Sequence, residues 1–211
     1  MSVQKPGSWI YTEEFLTEPS AIEAARRRGE ELGCAPVLPG VGGALRLLAG
    51  SVQAHTVVEI GTGAGVSGLW LLDGMPVDGV LTTIDIEAEH HRAARQSFAA
   101  AGVAPQRTRI ITGQALDVLP RLADGAYDMV IVDGNKQEYP AYVEQALRIV
   151  RVGGIVSVDN MLWHDRVADP AARDETTTIL RNLGKQLRDD DRLQTTLLPV
   201  GDGLLVAVRK V

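Results

Sequence analysis

From Thr56 onward, short apolar segments alternate with segments of helical periodicity, and this alternation restricts the fold of the 211-residue chain more than any other feature. Strands that are apolar on both faces and separated by helices predict a parallel sheet covered by helices on both sides. Right-handed crossovers then give a doubly wound α/β fold. The predicted strands are TVVEIG (56–61), VLTTIDI (80–86), TRIITG (108–113), YDMVIVD (127–133) and GIVSVD (154–159).

The C-terminal part departs from this alternation. A helical stretch around residues 170–187 leads to two apolar runs separated by Gly201-Asp202-Gly203. Glycines around an aspartate between apolar runs are typical of a hairpin turn. We therefore predict that the last two strands are adjacent and antiparallel, attached to an otherwise parallel sheet.

Two helices are predicted before the first strand. One runs from Pro19 to Leu32, with Thr17 as its N-cap, and the other from Val41 to Ala49. No domain boundary is evident, so we predict a single domain over residues 1–211. Its N-terminal helices occupy residues 1–50 and its α/β core residues 56–211.

Charge and cysteine content exclude several classes of partner. The net charge of −6 provides no basic surface for nucleic acid. Cys34 is the only cysteine, which precludes an intrachain disulfide and fits a reducing compartment. The first residues contain no apolar signal segment, and no apolar run reaches the roughly twenty residues of a membrane span. We expect a cytoplasmic protein that does not bind membranes.

A glycine loop, EIGTGAGVSG (59–68), follows the first strand and permits two interpretations. Counted from Gly63, it matches the dinucleotide pattern G-x-G-x-x-G, with Asp85 placed to bind a ribose. Counted from Gly61, it leaves Glu59 beside the loop. A pyrophosphate disfavours a nearby carboxylate, whereas the cationic end of S-adenosylmethionine suits one. The loop alone is also compatible with a simple turn.

Two further strands end in oxygen-bearing side chains. Asp133 follows the fourth strand, and Asp159 and Asn160 follow the fifth. Parallel strands bring these ends to the same edge of the sheet. Two carboxylates and an amide oxygen suit Mg²⁺ first, with Mn²⁺ or Ca²⁺ as alternatives, while the absence of a His/Cys cluster disfavours zinc. Each acid considered singly could instead cap a turn.

Six motifs in this order resemble the cation-dependent class I O-methyltransferases, the group of the catechol and caffeoyl-CoA enzymes, and most of all their small bacterial, particularly actinobacterial, members. The resemblance begins near Pro36 and extends to the C-terminus. It implies a Rossmann-like sheet of about seven strands, a homodimer, and methyl transfer from S-adenosylmethionine to a small hydroxylated acceptor of the catechol type. The motifs are VVEIGTGAGVSG, TIDIE, GQALDVLP, YDMVIVDGNKQEYPAY, GGIVSVDNMLW and VGDGLLVAVRK.

The resemblance also implies roles for individual residues. Asp133, Asp159 and Asn160 would hold the cation, and Lys136 would act as the base beside Asp133. Asp133 would also contact the acceptor. Trp163 follows Asn160 closely, so its position fits either an apolar wall for an aromatic acceptor or a packing residue at the strand exit. The sequence departs from its relatives at Gly134-Asn135 and in its short N-terminal segment, which leaves the acceptor open. The cofactor would be bound by Val37, Glu59, Gly61, Thr62, Gly63, Ser67, Asp85, Ile86, Gln114, Ala115 and Asp133.

Two alternatives remain at the level of sequence. The pattern GAGVSG with Asp85 would also fit an NAD(P)-dependent oxidoreductase, although that class does not account for the acids at the other strand ends. A protein that binds the cofactor without turnover is the second alternative. Among the remaining residues, His90 and His91 are expected to be solvated, and the polar segment from His164 to Thr178 to form a flap over the acceptor.

Overall fold

The computed structural model describes residues 6–211. Seven strands form one sheet: β1 (Thr56–Ile60), β2 (Val80–Asp85), β3 (Thr108–Thr112), β4 (Tyr127–Val132), β5 (Val150–Val158), β6 (Leu193–Leu198) and β7 (Leu204–Arg209). Their order is β3-β2-β1-β4-β5-β7-β6. Strands β1 to β5 pair in parallel, whereas β7 is antiparallel to both β5 and β6. The predicted doubly wound sheet with an antiparallel C-terminal hairpin is thereby confirmed.

Helices cover both faces of this sheet. Within the described range they are α1 (Pro6–Glu13), α2 (Ser20–Glu31), α3 (Pro39–Ser51), α4 (Val66–Gly74), α5 (Ala88–Ala100), α6 (Ala115–Val118), α7 (Tyr139–Ile149) and α8 (Glu175–Arg188). None of them is long and apolar enough to cross a membrane.

The strands are buried on both faces, as the apolar sequence runs predict. In β4, Met129 and Ile131 belong to the core beneath α2 to α5, while Val130 and Val132 belong to the core beneath α7 and α8. Successive side chains of a strand point to opposite faces, so one apolar run supplies both cores. The sheet is therefore a rigid platform whose strand ends can position functional groups.

Three predictions about helices need correction. The expected N-cap, Thr17, does not cap α2, because Pro19 occupies the N-cap position. Within residues 6–211, no side chain forms a capping hydrogen bond at the start of this helix. Helix α1 was not predicted. The last helix begins only at Glu175, since the preceding residues form turns, and its N-cap Asp174 accepts a hydrogen bond from the Thr177 amide.

Candidate active site

The carboxyl ends of β1, β2, β4 and β5 meet at one edge of the sheet, because these strands are parallel. The loops after β1 and β4 come very close together there. A Cβ on Gly61, whose φ is +100°, would lie 2.0 Å from the Asp133 carbonyl oxygen. Only glycine fits at this position, both for its conformation and for the close approach of the two loops.

A cavity of about 410 Å³ opens at this edge above the glycine loop. Most of the residues predicted to bind the cofactor line it. They are Val37, Gly61, Thr62, Gly63, Ser67, Asp85 and Asp133. Ile86, Gln114 and Ala115 lie at the ends of β2 and β3 outside this lining, with Ile86 exposed and Ala115 buried, so their assignment stays a prediction.

Glu59 lies beneath the loop and is fully buried. Its two carboxylate oxygens accept hydrogen bonds of 2.6 Å from the hydroxyls of Ser67 and Thr83, and the Thr83 hydroxyl also bonds to Thr62 at 2.7 Å. Burial raises the pKa of Glu59 to about 7, although the two hydroxyl groups oppose this shift. Glu59 thus braces the loop from below, and its predicted contact with the cofactor remains untested.

Asp85 is surrounded by donors at the end of β2. Its Oδ2 accepts the backbone N–H groups of Thr62 and Gly63, and its Oδ1 accepts that of Glu87. Burial alone would raise the pKa of Asp85, but these hydrogen bonds and the one from His90 outweigh it and place the pKa below its usual value. Asp85 is therefore a preorganised anionic acceptor at the rim of the cavity.

The prediction that His90 and His91 are solvated is wrong. His90 Nδ1 lies 3.1 Å from Asp85 Oδ2, and its Nε2 lies 3.3 Å from the sulfur of Cys34. His91 is only 4% exposed, and its Nδ1 lies 2.7 Å from the Thr112 hydroxyl. Helix α5 packs the side that carries His90 and His91 against the strand ends. The polar sequence of this helix does not reveal which of its sides is packed.

The three predicted metal ligands, Asp133, Asp159 and Asn160, are brought together at the ends of β4 and β5. Asp159 is 4% exposed, and its Oδ1 finds no hydrogen-bond partner among residues 6–211. Burial and the nearby Asp133 raise the pKa of Asp159 to about 7. Burial also raises the pKa of Asp133, although Lys136 counteracts this. Asp133 and Asp159 thus lie close together, and the described residues provide too few hydrogen-bond donors for their carboxylate oxygens.

Lys136 lies beside this pair of acids. Its Nζ donates to Asp133 Oδ1 at 3.1 Å, to the Gly134 carbonyl at 3.3 Å and to the Tyr139 hydroxyl at 2.6 Å. Tyr139 is fully buried, and burial raises its pKa well above the usual value, so it remains a neutral phenol. Through this contact Tyr139 anchors the lysine.

A second cavity, of about 540 Å³, adjoins the first on the side of β5 and β7. The two share Ala35, Pro36, Val37, Asn160 and His164. Most of the second lining is apolar, contributed by Trp9, Ala35, Pro36, Val37, Leu38, Val41, Leu162 and Pro199. Trp163, a candidate wall for the acceptor, lines the first cavity instead of the second.

Asp202 is a site residue that the sequence prediction missed. Because β7 is antiparallel, the hairpin turn that precedes it returns to the same edge as Asp159. Asp202 lines the second cavity, and its Oδ1 accepts the His164 backbone N–H at 2.7 Å. Its Oδ2 is enclosed without a hydrogen-bond partner within the described chain. The Gly201-Asp202-Gly203 sequence predicted a turn, but it did not indicate that Asp202 would lie at this site.

The loop after Asn160 has an unusual backbone. Asn160, Trp163, His164 and Asp165 all have φ between 49° and 62°. Such left-handed conformations are rare for residues other than glycine and cluster at functional sites. Asp202 holds this loop through the His164 amide, and Arg181 donates to the carbonyl groups of Arg166, Val167, Asp169 and Ala172. The predicted flap is thus anchored in this conformation.

Comparison with known proteins fits this geometry. A model of the O-methyltransferase family matches residues 27–210. A protein of Mycobacterium tuberculosis named a probable O-methyltransferase is 47% identical over 95% of this chain and 90% of its own length. The chain belongs to the O-methyltransferase family. The predicted enzyme class is confirmed, and this family, not that of the nicotinamide-dependent oxidoreductases, accounts for the glycine loop.

Solved structures extend the likeness of this O-methyltransferase over nearly the whole chain. The O-methyltransferase TomG of Streptomyces achromogenes, in complex with S-adenosylmethionine, is 31% identical with a TM-score of 0.86 and covers 99% of this chain and 100% of its own. An O-methyltransferase of Bacillus cereus in complex with S-adenosylhomocysteine is 27% identical with a TM-score of 0.85, covering 97% and 99%. A protein of Corynebacterium glutamicum reaches 0.90 at 28% identity, with 98% of both chains covered.

Proposed function

We propose that this O-methyltransferase transfers the methyl group of S-adenosylmethionine to a hydroxyl of a small catechol-type acceptor, with a divalent cation held by Asp133, Asp159 and Asn160. The observation that carries the proposal is the buried Asp159, whose Oδ1 is without a hydrogen-bond partner in the described part of the chain. A buried carboxylate without partners is costly unless a cation accompanies it.

The residues present fit a hard divalent cation. Among residues 6–211, no three His, Cys, Asp or Glu side chains gather in a manner suited to a metal ion. The proposed set has two carboxylates and completes its third oxygen with the amide of Asn160, and oxygen ligands of this kind favour Mg²⁺, Mn²⁺ or Ca²⁺. Lys136 neutralises only part of the charge, since its contact is with Asp133.

S-Adenosylmethionine is assigned to the cavity above the glycine loop. The geometry in support is the pair of backbone amides, of Thr62 and Gly63, that hold the Asp85 carboxylate at its rim. The complexes of TomG with S-adenosylmethionine and of the Bacillus cereus enzyme with S-adenosylhomocysteine, on closely similar folds, support the same assignment. Asp85 would accept hydrogen bonds from the ribose hydroxyls.

The acceptor is assigned to the second cavity, which shares its border with the first at Val37 and Asn160. Apolar walls suit an aromatic ring, and Asp159 and Asp202 lie at the end where hydroxyl groups would enter. A bound divalent cation lowers the pKa of a hydroxyl that coordinates it. Adjacent cavities would hold the nucleophilic oxygen and the methyl group side by side, an arrangement that favours in-line transfer.

Lys136 is the proposed general base. In the structure its three N–H groups are all engaged, by Asp133, the Gly134 carbonyl and Tyr139. These contacts fix the nitrogen beside the ligand set, and proton acceptance requires that the amine be in its neutral form with a lone pair turned to the acceptor. Once protonated, Lys136 is held as an ammonium by the same three oxygens.

The first experiment measures transfer of a labelled methyl group from S-adenosylmethionine to caffeate, with Mg²⁺ and with excess chelator. We expect transfer that chelator abolishes, and much slower transfer to 4-hydroxycinnamate, which lacks the adjacent hydroxyl. Transfer that persists in chelator would return Asp133 and Asp159 to structural roles. Binding of S-adenosylmethionine without transfer to any hydroxylated acceptor would favour the non-catalytic alternative.

The base assignment has its own test. Lys136→Met should lower kcat by about 10²- to 10⁴-fold, the usual contribution of a general base, and remove its limb from the pH–rate profile. The matched control is Lys210→Met, an exposed lysine beyond the far end of β7. Wild-type turnover of Lys136→Met across pH would show that Lys136 is not the base.

We also propose a homodimer that uses the N-terminal helices. Helix α1 and the segment that follows its end expose Ile10, Tyr11 and Phe15, with 48%, 67% and 69% of their surfaces accessible. Aromatic side chains grouped in this way are typical of interface cores. Sedimentation analysis should give twice the mass of the chain, and Tyr11→Glu with Phe15→Glu should shift it to the monomer; a monomeric wild type would disprove this assembly.

A further inference from the structure

Glu13, the last residue of α1, is a buried carboxylate to which no step of the proposed chemistry refers. It is only 8% exposed, whereas Thr12 and Glu14 on either side are exposed. Its Oε1 accepts the backbone N–H of Gly201 at 2.6 Å, and its Oε2 accepts the backbone N–H of Gly40 at 3.0 Å. Residues 188 and 27 positions away in sequence thus meet on one side chain.

Both amides need an acceptor from another element. Gly40 is the second residue of α3, and the first N–H groups of a helix have no partner within it. The N-cap, Leu38, has no side-chain oxygen to offer. A carboxylate at a helix N-terminus is additionally stabilised by the helix dipole, and hydrogen bonds to a charged acceptor are stronger than neutral ones.

Glycine at position 40 makes room for this contact. A Cβ on Gly40 would lie 2.6 Å from the nearer oxygen of Glu13, and one on Gly43 would lie 2.3 Å from a methyl group of Leu16. The start of α3 is therefore shaped to receive the end of α1 and the residues that follow it. The Glu13 carboxylate is therefore packed between these elements and does not lie on the surface.

The three elements joined by Glu13 all form walls of the acceptor cavity. Helix α1 contributes Trp9, the start of α3 contributes Leu38 and Val41, and the hairpin turn contributes Pro199, Gly201 and Asp202. We infer that Glu13 is a positioning residue for acceptor binding: by holding the amides of Gly40 and Gly201 it fixes α1 as a wall of the acceptor cavity. The inference deepens the proposed function and rests on its assignment of that cavity.

The same geometry predicts selectivity. Neither α1 nor the Gly201 turn contributes to the lining of the cofactor cavity, and Lys136 and Asp133 lie on a different loop. Loss of the Glu13 contacts should therefore weaken acceptor binding and leave cofactor binding unchanged. A residue that served overall stability alone would affect both ligands, or neither.

The test compares Glu13→Gln with Glu14→Gln, a matched control on the exposed neighbouring residue. The Glu13→Gln substitution keeps the length of the side chain, but the new NH₂ group must face one of the two amide donors. We expect the KM for caffeate to rise about tenfold, the size of effect that the loss of one charged hydrogen bond produces, with kcat and the calorimetric Kd for S-adenosylmethionine within about twofold of wild type. Glu14→Gln should match the wild type throughout.

A second measurement keeps the inference independent of the choice of acceptor. Hydrogen exchange of the α1 amides should accelerate in Glu13→Gln and not in Glu14→Gln, because the end of α1 loses its attachment. If the wild-type enzyme transferred no methyl group to any acceptor, that result would count against the proposed function. The hydrogen-exchange result would still decide whether Glu13 attaches the end of α1. Unchanged exchange, an unchanged KM for caffeate, or an equal rise in the Kd for S-adenosylmethionine would each overturn the inference.

Discussion

The two halves of the sheet edge treat their buried carboxylates differently. At the ends of β1 and β2, Glu59 and Asp85 have their oxygens bonded by hydroxyl and backbone donors of the protein itself. At the ends of β5 and β7, one oxygen of Asp159 and one of Asp202 lie enclosed without a partner in the described range. Yet Glu59 and Asp159 have the same raised pKa of about 7.

At the ends of β1 and β2 the protein itself completes the hydrogen bonding of the carboxylates. At the ends of β5 and β7 the carboxylates need a further component. The donors around Glu59 shape the glycine loop before any ligand arrives, which lowers the cost of ordering it upon binding. The acids of the other half repel one another; Lys136 forms an ion pair with Asp133, and the His164 ring lies 3.8 Å from Asp202 Oδ2. A divalent cation would supply the missing charge there, and the contrast within one edge supports the proposed cation requirement.

The largest expected effect comes from removing a ligand on the second half. Asp159→Asn should reduce Mg²⁺-dependent transfer by at least about 10³-fold, since a good oxygen ligand and the charge balance of the site are lost together. The Kd for S-adenosylmethionine should stay within about twofold, because Asp159 does not line the cofactor cavity. The control is Asp191→Asn, an exposed aspartate between α8 and β6. Near-normal turnover of Asp159→Asn would remove the distinction between the halves.

A smaller effect is expected on the completed half. Asp85→Asn should raise the Kd for S-adenosylmethionine about tenfold, as the loss of a charged acceptor predicts, while turnover at saturating cofactor keeps its dependence on Mg²⁺. Asp78→Asn, an exposed position before β2, serves as control. Calorimetry and initial rates provide both numbers. A changed Mg²⁺ requirement in Asp85→Asn would mean that the halves are not independent.

Much of this arrangement could be predicted from sequence because it depends on short-range signals. Apolar runs of six or seven residues set the strands, parallel pairing placed their ends together, and the residue after each strand followed directly. The placement of Asp85, Asp133, Asp159 and Asn160 at one edge was predicted in this way. Their location needed no knowledge of side-chain packing.

The features that were missed depend on contacts between distant residues. Asp202 joins the site only because β7 inserts between β5 and β6, which places a hairpin turn at the functional edge. Glu13 meets an amide 188 residues away, and the short helix that carries it has weak amphipathic character. His90 belongs to a polar helix whose inner face is decided by packing. None of these contacts leaves a periodic signal in the chain.

The smallest effect is on stability, and it tests the shared pKa of Glu59 and Asp159. A carboxyl whose pKa is about 7 when folded and near 4 when unfolded binds its proton more tightly in the folded state, so the free energy of unfolding falls as the pH rises from about 4 to 7. In chelator, the wild-type Tm should therefore fall between pH 5 and pH 8. Asp159→Asn and Glu59→Gln should each reduce that fall.

Mg²⁺ distinguishes the two carboxyls in the same measurement. At pH 8 it should raise the Tm of the wild type and of Glu59→Gln by a few degrees, at about 2–4 °C per kcal/mol for a chain of this size, because binding to the ionised carboxylates stabilises only the folded state. Asp159→Asn should not respond, and at pH 5 the wild type should respond less, because protons compete for the ligands. Equal responses of the two variants would mean that the cation does not bind at the end of β5, and the contrast between the halves would then need another cause.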